Sequence, residues 1–244
     1  MEDLFCNKHI IGLIWVSVYI AALFVIGHFA KKKISVRTIL KIGALLLIAM
    51  EAVKLTYYFI DDGFSNWQHM FPIQFCSLML YCYPVLAFSK GKLSEFIKPF
   101  AYVCGTMAGL LALILPTNIL GDTTIGWLQK GNFYPLISFI YHGFMVFYSI
   151  FLLTSGFYRP KMKHILNNVI IGTVFAAIAQ GLNVWWDRDY MMLNKGIGNP
   201  LLFILTDYGR IAYYAAHLVL MIVLSALLLG IGILVNKSRK LSAE

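Results

Sequence analysis

Seven apolar runs separated by short polar connections set the pattern of this chain, at residues 10–30, 38–60, 71–88, 96–115, 134–154, 165–186 and 208–235. Each approaches the twenty or so residues that a helix, rising 1.5 Å per residue, needs to cross the hydrocarbon core of a bilayer. The pattern predicts an all-α fold: a polytopic membrane protein, a seven-transmembrane-helix bundle, with residues 1–244 as a single transmembrane domain. No internal repeat and no Gly/Ser/Pro linker divides it. Pro72 and Pro135 fall near predicted helix starts, where a missing N–H is harmless. Pro84 falls inside the third run and predicts a kink or an end there. The connection from Asp187 to Asp207 contains Leu201-Leu-Phe-Ile-Leu205, too short to span and read as a re-entrant or interfacial piece.

Composition agrees with this pattern. Hydrophobic residues make up 60% and charged residues 13%, and the mean hydropathy is +0.76, more apolar side chain than a soluble domain of this size can hide. The net charge of +9 sits in short clusters beside the apolar runs. That distribution signals topology and anionic headgroups, and argues against nucleic acid as a partner. Alternate connections carry Lys31, Lys32, Lys33, Arg37 and Lys41, then Lys90, Lys92 and Lys98, then Arg159, Lys161 and Lys163, then Lys237, Arg239 and Lys240, fourteen of the twenty basic residues. The opposite connections carry few cations together with Trp67, Trp127, Trp185 and Trp186. By the positive-inside rule the N-terminus is outside and the C-terminus inside, which suits an odd number of spans and a multi-pass protein of the cell membrane. The first run lacks a basic n-region and is followed by Lys31, so it reads as a retained span. Cys6, Cys76, Cys82 and Cys104 form neither a disulfide framework nor a metal-binding pattern.

Ionisable and amide groups inside spans are expensive, and they mark candidate sites. Glu51, Lys54 and Tyr58 recur on one helical face of the second run, and Ser138, His142, Met145 and Ser149 on one face of the fifth. The sixth run carries Thr173, Gln180, Asn183 and Asp187; the seventh carries Arg210, Tyr214 and His217. Counted from the outer ends, Cys76 lies roughly 8 Å deep, and Glu51, His142 and His217 roughly 12 to 14 Å. The inner halves of these spans read as almost wholly apolar. The groups therefore predict a cavity near the outer face, with Cys76 at its centre, in the first turns of its helix. The plainer readings are that Glu51 and Lys54 only neutralise each other or Arg210, and that Cys82 and Cys104 are small apolar fillers.

Phe71-Pro-Ile-Gln-Phe-Cys-Ser-Leu-Met-Leu resembles the Leu-Pro-x-His-x-Cys stretch of the YwaF-like bacterial integral membrane proteins, which are grouped with eukaryotic transmembrane protein 164. Tyr141-His142 is similar to the family's His-bearing helix. Asp189-Tyr-Met-Met-Leu-Asn-Lys195 followed by Asn199-Pro-Leu-Leu resembles its Asn-Tyr-Met-(Phe/Met)-Leu segment. Gln74 and Asp189 depart from the family's His and Asn. The resemblance implies a lipid acyltransferase of the bacterial plasma membrane, with Cys76 as acyl carrier and His142 as its base, acting on membrane phospholipids or other acyl lipids.

Three functions follow from these residues. In the first, an acyltransferase or ester hydrolase, Cys76 and His142 are catalytic and form a Cys-acyl thioester, while Gln74, Glu51, Lys54, Asn183, Arg210, Tyr214 and His217 bind substrate. No metal or other cofactor is expected in it, and no protein partner is implied. In the second, a transporter or receptor, the same pocket holds an anionic or zwitterionic ligand through Glu51, Lys54 and Arg210. In the third, a metal-dependent hydrolase uses His142, His217 and Glu51, although no His-Glu-x-x-His motif is present.

Overall fold

The computed structural model describes residues 4–63, 67–116, 119–129, 131–194 and 208–241. Lys195, Leu201–Leu205 and Asp207, to which the sequence assigns part of a family motif and a re-entrant piece, lie outside them. Helix α1 spans Asn7–Ala30, α2 Val36–Asp62, α3 Trp67–Met70, α4 Met79–Phe88, α5 Gly91–Ile114, α6 Phe133–Thr154, α7 Ile165–Trp186 and α8 Arg210–Leu241. Short 3-10 turns occupy Met162–His164 and Tyr190–Met192, and no strand occurs among the described residues.

Among the described residues, five helices are long and apolar enough to cross a membrane: α1, α5, α6, α7 with its preceding turn, and α8. The other two apolar runs are helical in different degree. Helix α2 is longer than α6, at 27 residues against 22, and carries Glu51 and Lys54 within its apolar stretch. The run at 71–88 is helical only over its last ten residues. Residues 71–78 form irregular turns, and Cys76 sits three residues ahead of α4, not in its first turns. Pro84 lies in the middle of α4, and the helix ends one turn beyond it.

Successive segments alternate between two ends of the bundle. At the tryptophan-bearing end, Lys8 Nζ donates to Asp122 O (2.5 Å) and Asn132 Oδ1 (2.8 Å), and Trp127 Nε1 donates to Lys8 O (2.9 Å). The Tyr57 and Phe133 rings meet there with centroids 4.6 Å apart. At the basic end, Arg37 Nη1 donates to Ser89 O (2.5 Å), and Asn167 Nδ2 to Phe96 O (3.2 Å).

Helix α6 is the centre of the molecule: 78% of its apolar window is buried, against 17% for α1 and 22% for α8. Small residues and hydroxyls hold its neighbours close, as membrane interfaces favour. A Cβ added at Gly109 of α5 would stand 2.7 Å from Val146 Cγ2 and 3.0 Å from His142 O. One turn earlier, Gly105 faces the Tyr83 and Ser149 hydroxyls. Ser149 Oγ donates to Ala101 O (2.8 Å) and accepts from the Tyr83 hydroxyl (2.7 Å), while the Tyr148 hydroxyl donates to Leu40 O (2.9 Å). These bonds tie α6 to α5, α4 and α2, and so fix the rotation of His142 about the axis of α6.

Candidate functional site

A cavity of about 790 Å³ opens among α2, residues 71–77, α5, α6 and α8. Its size is that of a small-molecule or lipid site. One wall is polar and carries Glu51, Lys54, Gln74, Cys76, Tyr141 and His142. The lining from α5 and α8 is mainly apolar, with Val103, Met107, Leu111, Leu220 and Leu224, and also carries His217. Lining residues along and just past α5 run from Phe100 to Leu115, about 22 Å at 1.5 Å per residue. One bilayer leaflet of acyl chain, half of a hydrocarbon core of roughly 30 Å, fits that length.

The thiol of Cys76 is free and half-buried on this cavity. Lys54 and Glu51 line the same cavity. These two side chains form an ion pair, Lys54 Nζ to Glu51 Oε2 at 2.6 Å, one turn apart on α2. The Lys54 ammonium also lies over the Tyr141 ring, 5.6 Å from its centroid. The pairing expected between Glu51 and Lys54 is therefore present, and both residues face the cavity as well.

His142 is buried, and its Nδ1 lies 2.7 Å from Ser138 O. A carbonyl oxygen only accepts, so Nδ1 carries the proton and Nε2 holds the lone pair. The α6 backbone thus selects the tautomer that a general base needs. His217 is held likewise, with Nδ1 donating to Tyr213 O (3.1 Å). No hydrogen bond joins Cys76 and His142 directly; they meet only as parts of the same cavity lining.

Gln74 lines the cavity, but its Oε1 accepts from Met191 N (2.8 Å), so its carbonyl ties the 71–78 turns to the 190–194 turn. That second turn rests on Asn183, whose Oδ1 accepts from Tyr190 N (2.6 Å) and whose Nδ2 donates to Tyr190 O (3.0 Å). The Tyr190 hydroxyl in turn donates to Gln68 O. Asn194 N donates to Asp189 Oδ1 (2.6 Å), closing the loop. Met191 and Met192, both at positive φ, then project onto the cavity.

Three residues expected to bind substrate do not line the cavity. Asn183 is consumed by the bonds just described. Arg210 opens α8 and is exposed. Tyr214 packs beside the hydrophobic core. The face of α8 that meets the cavity carries His217, Leu220, Met221, Leu224 and Ser225, and one turn before it Tyr213 is buried, with its hydroxyl on Met192 O (2.6 Å). Of 210, 214 and 217, His217 lines the cavity. The inner half is also less apolar than expected. Asn168 Nδ2 donates to Ser225 Oγ (3.1 Å), and this buried pair lines the cavity on its basic-end side. Asn168 was legible as an amide within an apolar run; nothing in the sequence shows that it meets Ser225. Among the described residues, no three of His, Cys, Asp and Glu stand close enough to hold a metal ion, so His142, His217 and Glu51 do not make a metal centre.

A helical bundle with several helices long and apolar enough to cross a membrane, around a mostly apolar cavity with a few polar groups, defines a multi-pass membrane protein. The model of the TMEM164 family matches residues 4–231, and the chain belongs to that family. No curated protein and no solved structure matches it.

Proposed function

We propose that this protein is an intramembrane lipid acyltransferase or ester hydrolase in which Cys76 carries the acyl chain as a thioester and His142 is its base. The observation that carries the reading is the sharing of one amphiphile-shaped cavity by a free thiol and by an imidazole whose Nε2 is left as the acceptor. The apolar wall takes the chain and the polar wall takes the ester. His142 Nε2 accepts the thiol proton, directly after a side-chain rotation or through one water, and the thiolate attacks the ester carbonyl. The carbon–oxygen bond of the ester breaks, the leaving alkoxide takes the proton from His142, and a Cys76 thioester remains. A second alcohol gives its proton to His142, attacks the thioester and releases the thiolate; with water in its place the outcome is hydrolysis. Glu51 holds the Lys54 ammonium beside the reacting atoms.

Seven passes with the N-terminus outside accompany this reading, placing the site toward the outer leaflet of a plasma membrane. The basic clusters at the end opposite the tryptophans support it. Intact-mass measurement after incubation with a phospholipid tests the chemistry. The expected result is an added acyl mass that hydroxylamine removes and that Cys76→Ala lacks. A transporter or receptor using the same cavity would bind the lipid and show no such adduct, and that outcome would end the enzyme reading.

A further inference from the structure

Among the described residues, the Tyr141 hydroxyl and Asn168 Oδ1 are buried polar atoms of cavity-lining side chains with no hydrogen-bond partner, and of the two the hydroxyl stands on the wall that carries Lys54 and His142. Seven tyrosines are buried among the described residues: Tyr83, Tyr102, Tyr141, Tyr148, Tyr158, Tyr190 and Tyr213. The hydroxyls of six have partners. Tyr83 and Tyr148 bond within the core, Tyr102 to Leu228 O (3.1 Å), Tyr158 to His164 Nδ1 (2.9 Å), Tyr190 to Gln68 O and Tyr213 to Met192 O. The Tyr141 hydroxyl is buried with no partner, on a side chain only 4% exposed that lines the cavity. A phenylalanine would fill the same volume without leaving a polar group unmatched, and a buried unmatched hydroxyl is a standing cost.

Its surroundings say what it would take. The Tyr141 ring lies 5.5 Å from the His142 ring and 5.6 Å from the Lys54 ammonium. An ammonium only donates hydrogen bonds, and the phenol beside it has its proton uncommitted. The ammonium is met by the Glu51 carboxylate, and the phenol is the donor that still calls for an acceptor oxygen. Of the residues expected to bind substrate, Arg210 is exposed and does not line the cavity.

We propose that Tyr141 is the hydrogen-bond donor that recognises the ester carbonyl of the bound lipid, with Lys54 as its charged companion. The assignment rests on the reading of the cavity as an acyl-lipid site and does not depend on thioester formation at Cys76. In the proposed reaction the same hydroxyl follows the carbonyl oxygen as it gains negative charge.

The test uses purified Cys76→Ala protein in detergent, in which no acyl transfer consumes the ligand. It is titrated by native mass spectrometry with a diacyl phospholipid and with the dialkyl ether analogue of equal chain length, which lacks the carbonyls. With Tyr141 present, the ester is expected to bind about threefold to tenfold more tightly than the ether, the worth of one neutral hydrogen bond. In the added Tyr141→Phe variant the preference should vanish, with ether binding unchanged and no fall in Tm, because the hydroxyl supports no bond within the fold. A preference that survives in the Phe variant, equal binding of both lipids with Tyr141 in place, or no binding of either would overturn the assignment. Loss of the hydroxylamine-sensitive adduct in otherwise wild-type protein, with the ester preference intact, would sink the thioester reading and leave Tyr141 standing.

Discussion

At the residue scale, the site rests on how a few side chains are held. Glu51 and Lys54 are the clearest case, since each neutralises the other one turn apart on a cavity wall. Glu51→Gln leaves a largely buried ammonium without a counter-charge and should cost about 3 kcal/mol. Thermal unfolding in detergent should place the Glu51→Gln/Lys54→Met double variant above the single one; if the two coincide, the pair has no coupling. His142 depends on Ser138 O for its tautomer, and His142→Gln should cut acyl loading of Cys76 by about a hundredfold or more, in line with the usual weight of a general base, as read by adduct formation over time. Asn183 is the instructive residue in the other direction. An amide in an apolar run looks like a ligand-binding group, but its partners are the backbone N–H and C=O of Tyr190. Asn183→Leu should lower Tm, and should disturb the cavity only through the 190–194 turn.

At the element scale, the phase of each helix decides which of its polar residues count. Both Glu51 and His142 sit on stripes that the sequence displayed, and the bundle turned those stripes inward. On helix α8 a period of 3.6 fits 210, 214 and 217 about as well as 213, 217 and 221, and packing against α7 and α5 buries Tyr213 and leaves Arg210 exposed. Arg210→Ala is therefore expected to leave lipid binding and acyl loading within about twofold of wild type, the range of a surface change away from any site. A tenfold loss would restore Arg210 to the site. The α5–α6 contact is the counterpart among small residues. Gly109→Leu forces side-chain atoms into Val146 and the His142 carbonyl, an overpacking that costs about 1–3 kcal/mol. It should reduce Tm and acyl loading together. The turns at 71–78 were the least legible element, because apolar residues running into α4 read as more helix. The tie from Gln74 to Met191 N stands in those turns and places Cys76 ahead of α4.

At the scale of the whole molecule, the alternation of basic and tryptophan-bearing connections sets the expected orientation. A cysteine introduced at exposed Gln129 should react with a membrane-impermeant maleimide on intact cells, and one at exposed Lys163 only after the membrane is opened, over the background of the four native thiols. The reverse pattern would turn the bundle over and the site with it. The sequence by itself determined that this is an all-helical membrane protein and that polar groups collect within its spans, because the cost of burying backbone and charge in lipid is written locally, residue by residue. Membership of the TMEM164 family was legible too, in motifs whose order and spacing do not depend on packing. Which polar groups share a cavity, which lock a turn, and which hydroxyl is left without a partner were decided only by the tertiary structure. Those outcomes depend on how helices far apart in sequence rotate against one another, and the contacts that set each rotation, such as Gly109 on Val146 or Tyr148 on Leu40, lie dozens of residues apart.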